Sequence, residues 1–238
     1  MSAAELQKRL AALADARIAA GSRRFFKTGP GQYGEGDIFR GIRVPVLRGL
    51  AKEYQSIRLP EAVRLLGSPF HEDRLLALLL LVRLYSRGDV AAREKIYRLY
   101  LKHTRFINNW DLVDSSAEHI VGAFLWDKSR EPLHRLAKSA DLWERRIAII
   151  ATFHFIKRGE FGETLAIART LLSDREDLIH KAVGWMLREV GKRDPAALEE
   201  FLKEHQQRMP RVMLRYAIEH FPADKRQQYL KGKGGFQT

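Results

Sequence analysis

Apolar residues recur at helical spacing in one segment after another along this chain, and almost nowhere do β-branched residues alternate as a half-buried strand requires. A chain patterned in this way has to bury a long series of amphipathic helix faces against one another. The pattern predicts an all-α protein with helices over residues 3–20, 44–54, 60–66, 72–85, 90–102, 110–125, 131–138, 142–157, 161–172, 176–192, 195–207, 211–221 and a short last one from 224. Short polar or proline-containing breaks separate them, as arrays of helical hairpins need. When Arg74, Asp111, Arg146, Lys181 and Arg215 are lined up, an apolar helix follows each at a spacing of about 35 residues, in the range of helical-repeat families. The expectation is a helical-repeat solenoid, an α-α superhelix, in which equivalent positions converge on one concave, basic groove. The plainer alternative is a set of helix pairs that merely share a length.

Charge narrows the partner. The 42 lysines and arginines outnumber the 29 aspartates and glutamates, for a formal charge of +13, more than solubility requires, so a polyanion is expected. A membrane surface fits poorly, because no polybasic block sits beside a long apolar segment. The longest apolar run, residues 75–82, is too short to span a bilayer, and MSAAELQKRL reads as a polar helix start and not a signal peptide. A cytoplasmic location and a monomer are expected. One domain over residues 1–230 accounts for the length, with a glycine-rich tail over 231–238 expected to fray. With no cysteine there are no thiolate ligands, thiol nucleophiles or disulfides.

Few motifs carry chemistry. Residues 29–36, GPGQYGEG, contain G-x-G-x-x-G, but no strand precedes them, so they read as a loop and not a dinucleotide site. That loop follows a basic aromatic cluster, Arg23, Arg24, Phe25, Phe26 and Lys27, so it reads either as a contact to a phosphate backbone or, at least as well, as a plain flexible connector. The eight histidines show no HExxH or i, i+4 pairing, so neither a metal nor another cofactor is expected. What remains is a set of carboxylates, indoles and cations. In NNWDLVDSSAEH, Trp110 and Asp114 share a helix face, with Asp111 and Ser115 on the neighbouring one. In KAVGWMLREVGK, Trp185 and Arg188 are i, i+3 neighbours with Lys181 one turn before the tryptophan, and Arg145 and Arg146 open the helix between the two motifs. Each has an ordinary explanation: the aspartates complement a helix dipole, the tryptophans fill a core, the arginines are solvated. The arginines, however, oppose the dipole at a helix start, which raises the case for an anionic ligand there.

Together these features resemble the AlkD family of DNA alkylation repair glycosylases. The segments FFKTGPGQYGEGD, VPVLRGLAKEY, INNWDLVDSSAEHIVGAFL, WERRIAIIATFHFIKRGEF, HKAVGWMLREVGKRDP and MPRVMLRYAIEHF carry the resemblance over nearly the whole chain, and the pairing of WDLVD with KAxGWxLRE is its specific part. The resemblance implies HEAT-like repeats curved around duplex DNA and release of N3- and N7-alkylated purines such as 3-methyladenine and 7-methylguanine. It makes Asp114 the catalytic aspartate, Trp110 and Trp185 the cleft tryptophans, and Arg146 and Arg188 backbone-binding arginines. Arg145, Lys181, Arg211, Arg215 and Phe25 join them as candidate DNA contacts. Two positions depart from the family pattern: Asn109 stands where some members carry an aromatic, and Phe25 where an N-terminal tyrosine is found. Both bear on substrate range.

These residue types suit such a reaction. Alkylation at N3 or N7 turns the purine into a cation and a good leaving group, so no general acid is needed. As the base departs, C1′ becomes oxocarbenium-like, and a carboxylate beside it stabilises that charge and orients a water. An ordinary aspartate, with a pKa of about 3.9, is already ionised at neutral pH. Indole faces near a cationic nucleoside contribute on the order of 0.5 to 2 kcal/mol each. The resemblance further implies contact with sugar and backbone while the base stays largely stacked, unlike glycosylases that extrude it. Two other roles fit the fold: a noncatalytic protein that binds distorted or branched DNA, and a protein-binding scaffold, which leaves the basicity unexplained.

Overall fold

The structure, a computed structural model, describes residues 2–231. Among these, helices are the only regular elements apart from one isolated bridge between Ile38 and Phe70. In chain order they are α1 (Ala3–Ala12), α2 (Ala16–Phe25), α3 (Val44–Glu53), α4 (Leu59–Leu66), α5 (His71–Arg87), α6 (Val90–Lys102), α7 (Trp110–Asp114) and α8 (Ala123–Leu125). They continue with α9 (Glu131–Ala137), α10 (Leu142–Ala151), α11 (Phe153–Ile156), α12 (Gly162–Thr170), α13 (Asp177–Gly191), α14 (Pro195–His205), α15 (Arg211–Ala217) and α16 (Ala223–Leu230). The all-helical expectation holds. Residues 232–238 of the anticipated tail lie outside the described residues, and Lys231 caps α16.

Three predicted helices are broken, each by a polar side chain that competes for backbone groups. The helix expected over 3–20 divides because the Asp15 carboxylate accepts from the N–H groups of Arg17 and Ile18 and starts a new helix. The one expected over 110–125 is interrupted after α7, where the Ser116 hydroxyl donates to the Leu112 carbonyl at 2.6 Å. A π-helical turn, Glu118–Gly122, then leads into α8. The one expected over 142–157 is divided at Thr152, whose hydroxyl donates to the Ile149 carbonyl at 2.7 Å.

The chain divides into two compact units, residues 1–124 and 125–238. In the first, α5 is central and packs against α3, α4, α6, α7 and the π turn. It carries the apolar run noted above, with Leu75, Leu76, Ala77, Leu78, Leu80 and Leu81 all buried. In the second, α13 is central and packs against α10, α12, α14 and α15. No described helix is long and apolar enough to cross a membrane.

Two arginines latch helix starts to neighbouring segments in the same way. The Arg74 guanidinium donates to the carbonyls of Ser68 and Pro69, six and five residues back, and to Asp37 Oδ1 at 2.5 Å. In the second unit Arg145 donates to the carbonyls of Ser139 and Ala140, again six and five back, and its Nε to Asp174 Oδ2 at 2.6 Å. The repeat register therefore aligns Arg74 with Arg145, one residue away from the Arg146 that spacing alone selects.

Candidate active site

In the first unit, the end of α2, the loop after it and the starts of α5 and α7 meet in an aromatic stack. Phe26 lies parallel to Trp110 on one side, with ring centroids 5.4 Å apart, and to Phe39 on the other, at 5.1 Å. The His71 ring closes the stack, 4.6 Å from Phe39 and 4.8 Å from Phe26. Phe25 meets the edges of Phe26 and Trp110 and is 65% exposed, so this end of the stack faces solvent. Trp110 is half-buried.

Beneath the rings lies a buried ionic cluster. His71 Nδ1 is 3.1 Å from Asp37 Oδ2, and its Nε2 is 2.8 Å from Asp111 Oδ2. Asp37 also accepts from Arg74 and, at 3.1 Å, from the Asn109 amide. Burial opposes ionisation of Asp37, but the His71 hydrogen bond, the Arg74 charge and the Asn109 amide outweigh it and hold the carboxyl below its usual range. Burial likewise opposes a charge on His71, yet its hydrogen bonds to Asp111 and Asp37 push it up to about 9. Asn109, the departure from the family pattern, is fully buried here, and its side chain also accepts from the Trp110 N–H at 2.9 Å. An aromatic ring at that position would lose both bonds.

The two aspartates of WDLVD have different occupations. Asp111 lies in the first turn of α7, accepts from the Leu112 N–H at 2.9 Å and faces His71, so its part is capping and clamping. Asp114 is the last residue of α7, one turn beyond Trp110, and is half-buried. Its negative charge is felt by the buried Tyr100. Burial first and the Asp114 charge next raise that phenol well above its ordinary value, against the pull of its 2.9 Å hydrogen bond with Ser116.

In the second unit Trp185 is half-buried on α13, edge-on to Phe153 at 5.7 Å. Lys157 lies over the other ring of that pair, 4.2 Å from the Phe153 centroid. Arg188 pairs with Glu219 and lies 3.6 Å from Glu189, and Lys181 pairs with Asp177 at 2.7 Å. Arg146 is buried, and its guanidinium donates to the Leu178 carbonyl at 2.5 Å. Arg145 is spent on the latch to Asp174. Arg211 is exposed and donates to the Leu230 carbonyl at 2.6 Å, and Arg215 is exposed on α15.

Of the residues that the sequence singled out, Trp110, Phe25 and Asp114 fall in the first unit and Trp185, Lys181 and Arg188 in the second. Sequence reasoning missed His71, Asp37 and the part played by Asn109. One signal for His71 is present in the sequence: a histidine just after Pro69 and Phe70 opens an apolar helix, where a cation opposes the dipole and so needs carboxylate partners.

A comparison with curated protein sequences found no match. Among solved structures, a predicted DNA alkylation repair enzyme from Enterococcus faecalis superposes with a TM-score of 0.68 at 18% identity, covering 88% of this chain and 97% of that one. AlkD2 from Streptococcus mutans superposes with a TM-score of 0.56 at 17% identity, covering 87% and 99%. The protein smu.31 from Streptococcus mutans UA159 gives 0.51 at 19% identity, covering 81% and 92%. At such identities these likenesses establish the shared helical-repeat fold. The model of the DNA alkylation repair enzyme family matches residues 6–221, nearly the whole length, and this chain therefore belongs to that family.

Proposed function

We propose that this protein is a monofunctional DNA glycosylase that hydrolyses the N-glycosidic bond of cationic N3- and N7-alkylated purines in duplex DNA. The observation that carries this reading is Asp114, one turn along a short helix from a tryptophan set on an aromatic stack, in a chain of the alkylation repair family. The departing purine is already a cation, so the developing positive charge at C1′ is the part of the reaction that needs help. Asp114 supplies a carboxylate to stabilise it and to orient the attacking water. Trp110 offers an electron-rich face to the positively charged nucleoside, and Trp185 is the corresponding indole of α13 in the second unit. Lys181, Arg188, Arg211 and Arg215 bind phosphates, which positions the duplex without reading its sequence. Arg188 and Lys181 exchange their carboxylate partners for phosphate when DNA arrives. Arg146 and Arg145 serve this surface from below, Arg146 through its bond to the start of α13 and Arg145 through its latch to Asp174.

The test is incubation of purified protein with alkylated duplex DNA and identification of released bases by mass spectrometry, with Asp114→Asn alongside. Release of alkylpurines by the wild type, lost in the variant while DNA binding persists, is the expected result. DNA binding without release by either protein would refute the enzyme and leave a binder of distorted DNA.

A further inference from the structure

We propose that His71 is a positioning residue: as an imidazolium clamped between Asp37 and Asp111, it fixes the aromatic stack under Trp110 and the first turn of α7. The consequence for base release rests on the glycosylase reading, while the clamp itself does not.

The geometry carries the charge state. Both ring nitrogens sit at hydrogen-bond distance from carboxylate oxygens, 3.1 Å to Asp37 and 2.8 Å to Asp111. A neutral imidazole has one N–H and one lone pair, so one of those contacts would set lone pair against lone pair. Arg74 and Asn109 favour an ionised Asp37, so that carboxyl is not the donor. Asp111 is likewise an acceptor, its Oδ1 taking the Leu112 N–H at 2.9 Å, so the doubly protonated ring is the state that satisfies both sides, in agreement with its upward shift to about 9. Every charged group around it fits this state. Asp37 faces it from the loop after α2, Asp111 from α7, and Arg74 acts across Asp37 from α5. Its neighbours on α5 are otherwise engaged: Glu72 accepts the N–H groups of Arg40, Gly41 and Ile42, and Asp73 pairs with Arg40.

The ring's faces matter as much as its edges. The cation lies against Phe39 and Phe26, and Phe26 lies against Trp110. One imidazolium therefore joins three segments and supports the tryptophan whose helix ends in Asp114. Loss of the proton leaves one buried and one half-buried carboxylate facing a ring that can serve only one, and the start of α7 is released.

Nuclear magnetic resonance with 15N-labelled histidine and 5-fluorotryptophan tests the clamp directly, the Trp110 fluorine signal being assigned by its loss in Trp110→Phe. Both His71 nitrogens should be protonated at pH 7.5, and the Trp110 signal should move with the titration of His71, near pH 9, while the Trp185 signal stays still. Single-turnover release of 3-methyladenine should fall along the same alkaline limb. His71→Gln should lower that rate at least tenfold at pH 7.5, keep DNA affinity within twofold and abolish the limb. A neutral His71 at pH 7.5, or a Trp110 signal indifferent to its titration, overturns the proposal. If the wild type releases no base at any pH, the glycosylase reading fails, and the resonance measurements still decide the clamp. Should His71→Gln not fold, the wild-type titration decides.

Discussion

Gly184 sits where α13 crosses α15, directly before Trp185. A Cβ added there would lie 2.5 Å from the Met213 carbonyl oxygen and 2.5 Å from the Tyr216 Cβ, against neighbours fixed in a helix. Gly184→Ala therefore forces α13 and α15 apart by roughly half an ångström or more. Overpacking of this kind costs about 1 to 3 kcal/mol. The change also gains up to about 1 kcal/mol, because alanine is the better helix former. A net loss of about 1 to 2 kcal/mol is expected. Urea unfolding followed by circular dichroism measures it: with a slope of roughly 2 kcal/mol per molar, the midpoint should fall by about 0.5 to 1 M without a change in slope. Gly49, within α3, is the control, since nothing lies within 4 Å of its added Cβ and Gly49→Ala should stabilise. If Gly184→Ala matches the wild type or exceeds it, α13 and α15 are not in the contact described.

Asp114→Asn should lower the single-turnover rate of base release by about 100- to 1000-fold with DNA affinity unchanged. Equal loss of binding would point to a structural part instead. Glu219→Gln removes the carboxylate that competes with phosphate for Arg188 and should tighten duplex binding by up to about fivefold, worth about 1 kcal/mol, in a fluorescence anisotropy titration. If roughly 6 phosphates are neutralised, log K should fall with log salt at a slope of about −5, and a slope near zero would contradict duplex binding. His71 makes stability depend on pH. Its folded-state value of about 9 lies above the ordinary 6.5, so its contribution is full below about 6.5 and is lost as pH rises through 9. The loss amounts to about 3 kcal/mol, read from urea midpoints at pH 6.5 and 10, and His71→Gln should flatten the dependence.

The helical pattern was legible because burial on one face imposes a periodicity on every segment. The breaks were not, because Asp15, Ser116 and Thr152 act through single hydrogen bonds to nearby backbone that periodicity does not register. Trp110 and Asp114 could be paired from spacing alone, since four residues on a helix share a face. The ionic cluster below them could not, because Asp37, His71 and Asp111 are brought together from separate segments by the fold. Arg145 shows the complementary failure: a cation at a helix start suggested an anionic ligand, and the anion it meets is Asp174 of the same chain.

The arginine latches limit how such a chain can be rearranged. Recognition of the preceding turn travels with its helix, because the carbonyls it grips lie five and six residues upstream in both cases. The carboxylate does not: Asp37 precedes Arg74 by 37 residues, whereas Asp174 follows Arg145 by 29. A recombination joint falling between either arginine and its aspartate would strand a guanidinium, so viable insertions and swaps should cross the chain outside residues 37–74 and 145–174.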